Sequence, residues 1–161
     1  MLPFRVTLAA ATFMLVMIGL GAAHAQSQQR TIASAHDFLR TVMARGTTRF
    51  EVVDTRNLNL SRGFATIERV DGSQCETALY ATHTDSNGTH TVSRRIDWSR
   101  VSSVGGVGSL HIYIAGSVRT TNGEVLDFVK ITTESPELVG RIVAAMDFLR
   151  SSCDSTGNTG F

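Results

Sequence analysis

The chain has 161 residues, 42% of them hydrophobic and 18% charged, with a formal net charge of +1. That is enough for one ordinary domain and too little for two large ones. The near balance of charge argues against a nucleic-acid binder held by electrostatics, and two prolines with 14 glycines exclude a collagen-like or Pro-rich chain.

Residues 1–25 read as a secretory signal peptide. Arg5 supplies a positive start, Val6–Leu20 an apolar middle, and Ala23 and Ala25 the small residues of a cleavage site. The apolar run of about 15 residues is short of the roughly 20 that span a bilayer. A cleaved signal is therefore expected rather than an anchor, leaving a chain with no membrane span. Cleavage removes Arg5 and leaves the basic and acidic residues equal in number. The expected location is periplasmic or secreted. Cys75 and Cys153 are the only cysteines. In an oxidising compartment an even pair reads as a disulfide, and here only one connectivity exists.

Residues 26–30 are polar and expected to be flexible. A first helix is predicted over 32–45, with Ala35, Phe38, Leu39, Val42 and Met43 on one face and Thr31 or Ser34 as its cap. His36, Asp37 and Arg40 fall on its wet face. From Thr47 to Thr133 the pattern is one of short strands. They are predicted at 48–53, 63–70, 74–84, 89–98, 110–117 and 125–132, with Asp71-Gly72, Asn87-Gly88 and Asn122-Gly123 as turn signals and Ser102–Ser109 as a loop. A last helix is predicted with Ser135 as N-cap and Pro136 in its first position. Its inward face carries Leu138, Ile142, Ala145, Met146, Leu149 and Cys153. Residues 154–161 have nothing to bury and are expected to be disordered.

This order predicts a single α+β domain over 31–153: a curved antiparallel sheet of about six strands, a half-barrel, with an N-terminal and a C-terminal helix packed on it. In element order it resembles the pleckstrin-homology-like superfold. The leading helix is similar to that of the cone-shaped sheets of cystatin or nuclear-transport-factor type. Neither resemblance carries a motif, and both superfolds host many functions.

A two-residue turn at Asn87-Gly88 pairs Asp85 with His90 and separates two faces. The inner face holds Cys75, Thr77, Leu79, Ala81 and His83 with Val92, Arg94, Ile96 and Trp98. The outer face holds Tyr80 and Arg95. Arg94 breaks the apolar pattern. It either snorkels to an edge, pairs with an acid or meets the carboxylate or phosphate of a ligand. Tyr80 and Arg95 are candidate contact residues on the outer face. At the hairpin tip His83, Asp85 and His90 share one face, a donor set suited to Zn²⁺ or Cu²⁺, although turn chemistry alone also explains a polar tip.

No G-x-S-x-G, H-E-x-x-H or P-loop motif occurs. The favoured expectation is an exported, non-catalytic binding or interaction module without a cofactor. Its partner would be a small ligand or an envelope protein, not nucleic acid. The alternative is a metal-binding protein or small metal-dependent hydrolase using His83, Asp85 and His90.

Overall fold

A computed structural model describes residues 31–54, 57–86, 88–108 and 110–154. The expected signal peptide, the 26–30 segment and residues 155–161 of the expected tail lie outside the described residues. The element order is α1 (Ile32–Met43), β1 (Arg49–Asp54), β2 (Asn57–Ser73), β3 (Glu76–Asp85), β4 (Gly88–Val107), β5 (His111–Thr120), β6 (Val125–Thr132) and α2 (Pro136–Cys153). The chain is therefore α+β, with one helix at each end of a six-stranded antiparallel meander.

The sheet is a closed barrel in the order β1-β2-β3-β4-β5-β6, not the open half-barrel predicted. Closure follows from strand length and bending. β2 and β4 run to 17 and 20 residues, because the predicted Asp71-Gly72 turn and the predicted Ser102–Ser109 loop are both largely ladder. Asp71 pairs with Ala78, and Ser103 through Val107 pair with Ala115 through His111. Long strands bent by bulges can tilt and return to the starting edge. Register shifts occur in the β1–β2, β2–β3, β4–β5 and β5–β6 pairings. At the β4–β5 bend Gly116 has φ +142°, and a Cβ there would lie 2.4 Å from the Arg100 carbonyl oxygen. The seam itself is short: β1 meets β6 through Arg49↔Thr132 and Phe50↔Ile131.

The main hairpin pairs Asp85 with Gly88, His83 with His90, Leu79 with Arg94 and Thr77 with Ile96. This differs by two residues from the predicted register. A shift of two preserves the predicted faces, since side chains alternate with period 2. The barrel interior takes Phe50, Ala65, Ile67, Leu79, Ile96, Trp98, Ile112, Ile114 and Ile131, all nearly inaccessible to solvent.

The helices cover the end of the barrel where β1 begins and β4 and β6 finish. Thr31 and Ser34 cap α1 reciprocally, the hydroxyl of each accepting from the other's backbone N–H. Leu39 and Met43 of α1 join Ile142, Met146 and Leu149 of α2 in the core. The Cys75–Cys153 disulfide, with a Cα–Cα distance of 5.5 Å, ties the end of α2 to the β2–β3 turn. Such a bond is compatible with an oxidising, exported location. Among the described residues no helix is long and apolar enough to cross a membrane.

His36 corrects the predicted wet face of α1, for it is 3% exposed. Trp98 Nε1–H donates to Thr77 Oγ1 at 2.8 Å, and His36 Nε2–H donates to the Gln74 carbonyl at 3.0 Å. The Thr77 hydroxyl is then placed to donate to His36 Nδ1 at 3.3 Å. The ring fills the space above Gly72, where a Cβ would come within 2.1 Å of it. A histidine at this helical position looks solvent-facing only until β2 is laid against α1.

Candidate functional site

The ends of β1, β3 and β5 and the starts of β2, β4 and β6 lie at the opposite end, where among the described residues no helix covers the barrel. Here a cavity of about 440 Å³ opens between the β3–β4 and β5–β6 hairpins and the end of β1. That volume falls in the range of small-molecule sites.

Its inner part is formed by strand residues whose pleat aims them into the barrel. Arg94, on β4 opposite Leu79, is 3% exposed. Its guanidinium donates through Nη1 to the Ser93 carbonyl at 2.9 Å and through Nη2 to the Glu51 carbonyl at 3.3 Å. Its Cζ lies 4.9 Å from the centre of the Phe50 ring. These are dipoles and a π face, not a counter-charge. Among the described residues no acid pairs with this cation, it does not snorkel to a solvent-exposed edge, and burial pushes its pKa down to about 10. Its Nε–H has no acceptor.

His83 is the second polar group of the interior, 5% exposed, with Nε2 unpartnered. The buried hydroxyl of Thr120, at the end of β5, is unpartnered as well. All three residues line the same cavity, together with the apolar side chains of Val52, Val53 and Val92. Nearer the solvent its lining is polar, with Arg62, His90 and Glu124 exposed and Asp85 half-buried.

The sequence-predicted tip residues His83, Asp85 and His90 do share this cavity. The two imidazoles sit edge to face with centroids 5.6 Å apart. Among the described residues, however, no three His, Cys, Asp or Glu side chains are grouped closely enough to hold a metal ion. His83 and His90 are directly opposed on one face, but His83 is buried while His90 stands exposed toward the hairpin tip. Tyr80 and Arg95 lie outside the barrel, away from Arg94. Tyr80 is half-buried under the Arg69 guanidinium at 4.0 Å, and Arg95 is exposed and paired with Glu76 at 2.6 Å.

Thr120, Arg62, Glu124 and the valines of β1 are site residues that sequence reasoning missed. They come from three other strands and the β5–β6 turn, and only barrel closure brings them to the hairpin tip. The inward parity of Arg94 and His83 was the one signal present in the sequence. Comparison with protein-family models, with curated proteins and with solved structures gives no match, so the mouth is read from its own chemistry.

Proposed function

We propose that this chain is an exported, non-catalytic binding module that holds a small molecule in the open mouth of its barrel. The observation that supports this most is the coincidence of three unpartnered buried polar groups, on Arg94, His83 and Thr120, around one cavity of about 440 Å³. Buried polar atoms are normally satisfied, and a cluster of exceptions lining one cavity offers donors that a polar ligand can use.

A binding role is favoured over a catalytic one by the hydroxyls of the mouth. Thr121 Oγ1 is engaged by the backbone N–H of Ser93 at 2.6 Å. Among the described residues neither His83 nor His90 holds a hydroxyl in a hydrogen bond, the arrangement that activates a nucleophile. Both cysteines are consumed in the disulfide. Export is supported by the disulfide together with the sequence features of residues 1–25.

Native mass spectrometry of the disulfide-bonded protein, purified from its exported compartment without ligand exchange, tests the reading. The expected result is a stoichiometric additional mass that is released on unfolding. A bare protein mass, combined with no thermal stabilisation by any member of a small-molecule library, would overturn it.

A further inference from the structure

We propose that the inner part of the mouth receives the oxyanion group of its ligand, a carboxylate or a phosphate, held between the Arg94 guanidinium and His83 Nε2. This inference rests on the reading of the mouth as a ligand site and adds the chemical class of the ligand.

A guanidinium removed from water without an acid beside it is a costly arrangement. Two backbone carbonyls and the Phe50 ring offset part of that cost, but none carries a charge. The group that completes such a site is an anion with two or more oxygens, because the planar guanidinium fork matches carboxylate and phosphate geometry. A neutral ligand would leave the buried cation uncompensated. Apart from Arg94, two further buried groups lack partners at this cavity, His83 Nε2 and Thr120 Oγ1. Both can donate to an oxygen, and a phosphate or carboxylate has lone pairs for all three.

The charges nearer solvent are of both signs, Arg62 with Asp85 and Glu124. Only the inner part is purely cationic or neutral. The ligand therefore enters anion first, and its remaining atoms lie between the two hairpins against Val53, Val92 and Glu124. The cavity's size limits that remainder to a small molecule.

The experiment is a nuclear magnetic resonance titration of the isotope-labelled, disulfide-bonded protein, followed at the arginine Nε–H signals. One arm uses inorganic phosphate and the other succinate, each against sodium chloride at matched ionic strength. The expected result is a saturable shift of the Arg94 signal in at least one arm, and the arm that responds identifies which oxyanion the site accepts. Arg94→Met is expected to weaken that binding by about tenfold or more, in line with loss of a charge-assisted bond. An Arg94 signal that responds to neither anion beyond chloride overturns the inference. So does unchanged affinity in Arg94→Met. The wild-type signal decides the matter even if that variant does not fold. A neutral molecule found bound stoichiometrically, with Arg94 indifferent to both anions, overturns the oxyanion assignment and leaves the binding reading standing. An empty mouth with no anion response overturns both.

Discussion

At the helix-covered end of the barrel, Trp98, Thr77, His36 and the Gln74 carbonyl form a buried chain in which each donor meets an acceptor. At the open end, Arg94 and His83 are buried and Thr120 is half-buried, and each keeps a buried atom without a partner. The covered end is not perfect, since the hydroxyls of Thr48 and Thr133 are also unpartnered there. Those are neutral and small, and the difference between the ends concerns the ionisable groups. One imidazole is bonded at both nitrogens and locked against a glycine. The other lines the same cavity as a cation that pairs with no acid among the described residues. The same chain thus satisfies a buried polar network where it closes its core and leaves one unfinished where it meets solvent. Under the proposed function, the first end serves stability and the second binding.

Four substitutions or treatments can break or sharpen this contrast. The largest effect is expected from the disulfide. Its 78-residue separation corresponds to roughly 4–5 kcal/mol in the chain-entropy view. Reduction, or the double change Cys75→Ala and Cys153→Ala, should lower the urea midpoint by a corresponding amount. A midpoint indifferent to reductant would mean that the apolar face of α2 is sufficient to hold the covered end.

Thr77→Val comes next. It keeps the volume but strands both Trp98 Nε1–H and His36 Nδ1, at a cost of about 2–3 kcal/mol. Equilibrium unfolding followed by Trp98 fluorescence measures it, and a change near zero would show that the chain of bonds contributes nothing to the stability of that end.

Arg94→Met should act in the opposite direction. The folded state lowers the pKa of Arg94 to about 10, so it disfavours the charged form. A shift of that size is worth roughly 3 kcal/mol of destabilisation. The penalty is fully present below about pH 10 and fades as pH rises from there toward the ordinary arginine value. Loss of the bonds to Ser93 and Glu51 offsets part of the gain. The ligand-free variant is therefore expected to be more stable at neutral pH by about 1–2 kcal/mol. A loss of stability instead would identify Arg94 as a latch between β4 and β1 through its bond to the Glu51 carbonyl. The smallest effect belongs to Arg95→Ala. Its exposed pair with Glu76 should contribute less than about 0.5 kcal/mol, and a larger change in the unfolding midpoint would give the outer face a role the contrast denies it.

The sequence was most legible where local pattern and tertiary need agree. β6 has its predicted bounds, α2 begins at Pro136, and α1 is capped by Thr31. The faces of the main hairpin were readable as well. The actual register differs by two residues, and alternation hides an even shift. Reading failed where a local signal was overruled. Asp71-Gly72 has the composition of a turn but lies in a ladder, because the chain turns at Gln74 instead, with φ +47°. Ser102–Ser109 has the composition of a loop, yet most of it pairs with β5.

By itself the sequence determined the α+β class, the pairing of Cys75 with Cys153 and the inward direction of Arg94 and His83. Each follows from a short-range rule: periodicity, cysteine count or alternation. Tertiary structure alone decided that the sheet closes, that His36 is buried and that Arg94 finds no acid among the described residues. Those outcomes depend on which distant strands become neighbours. Barrel closure sets that through the accumulated bend of several bulges, a quantity no single stretch of residues carries.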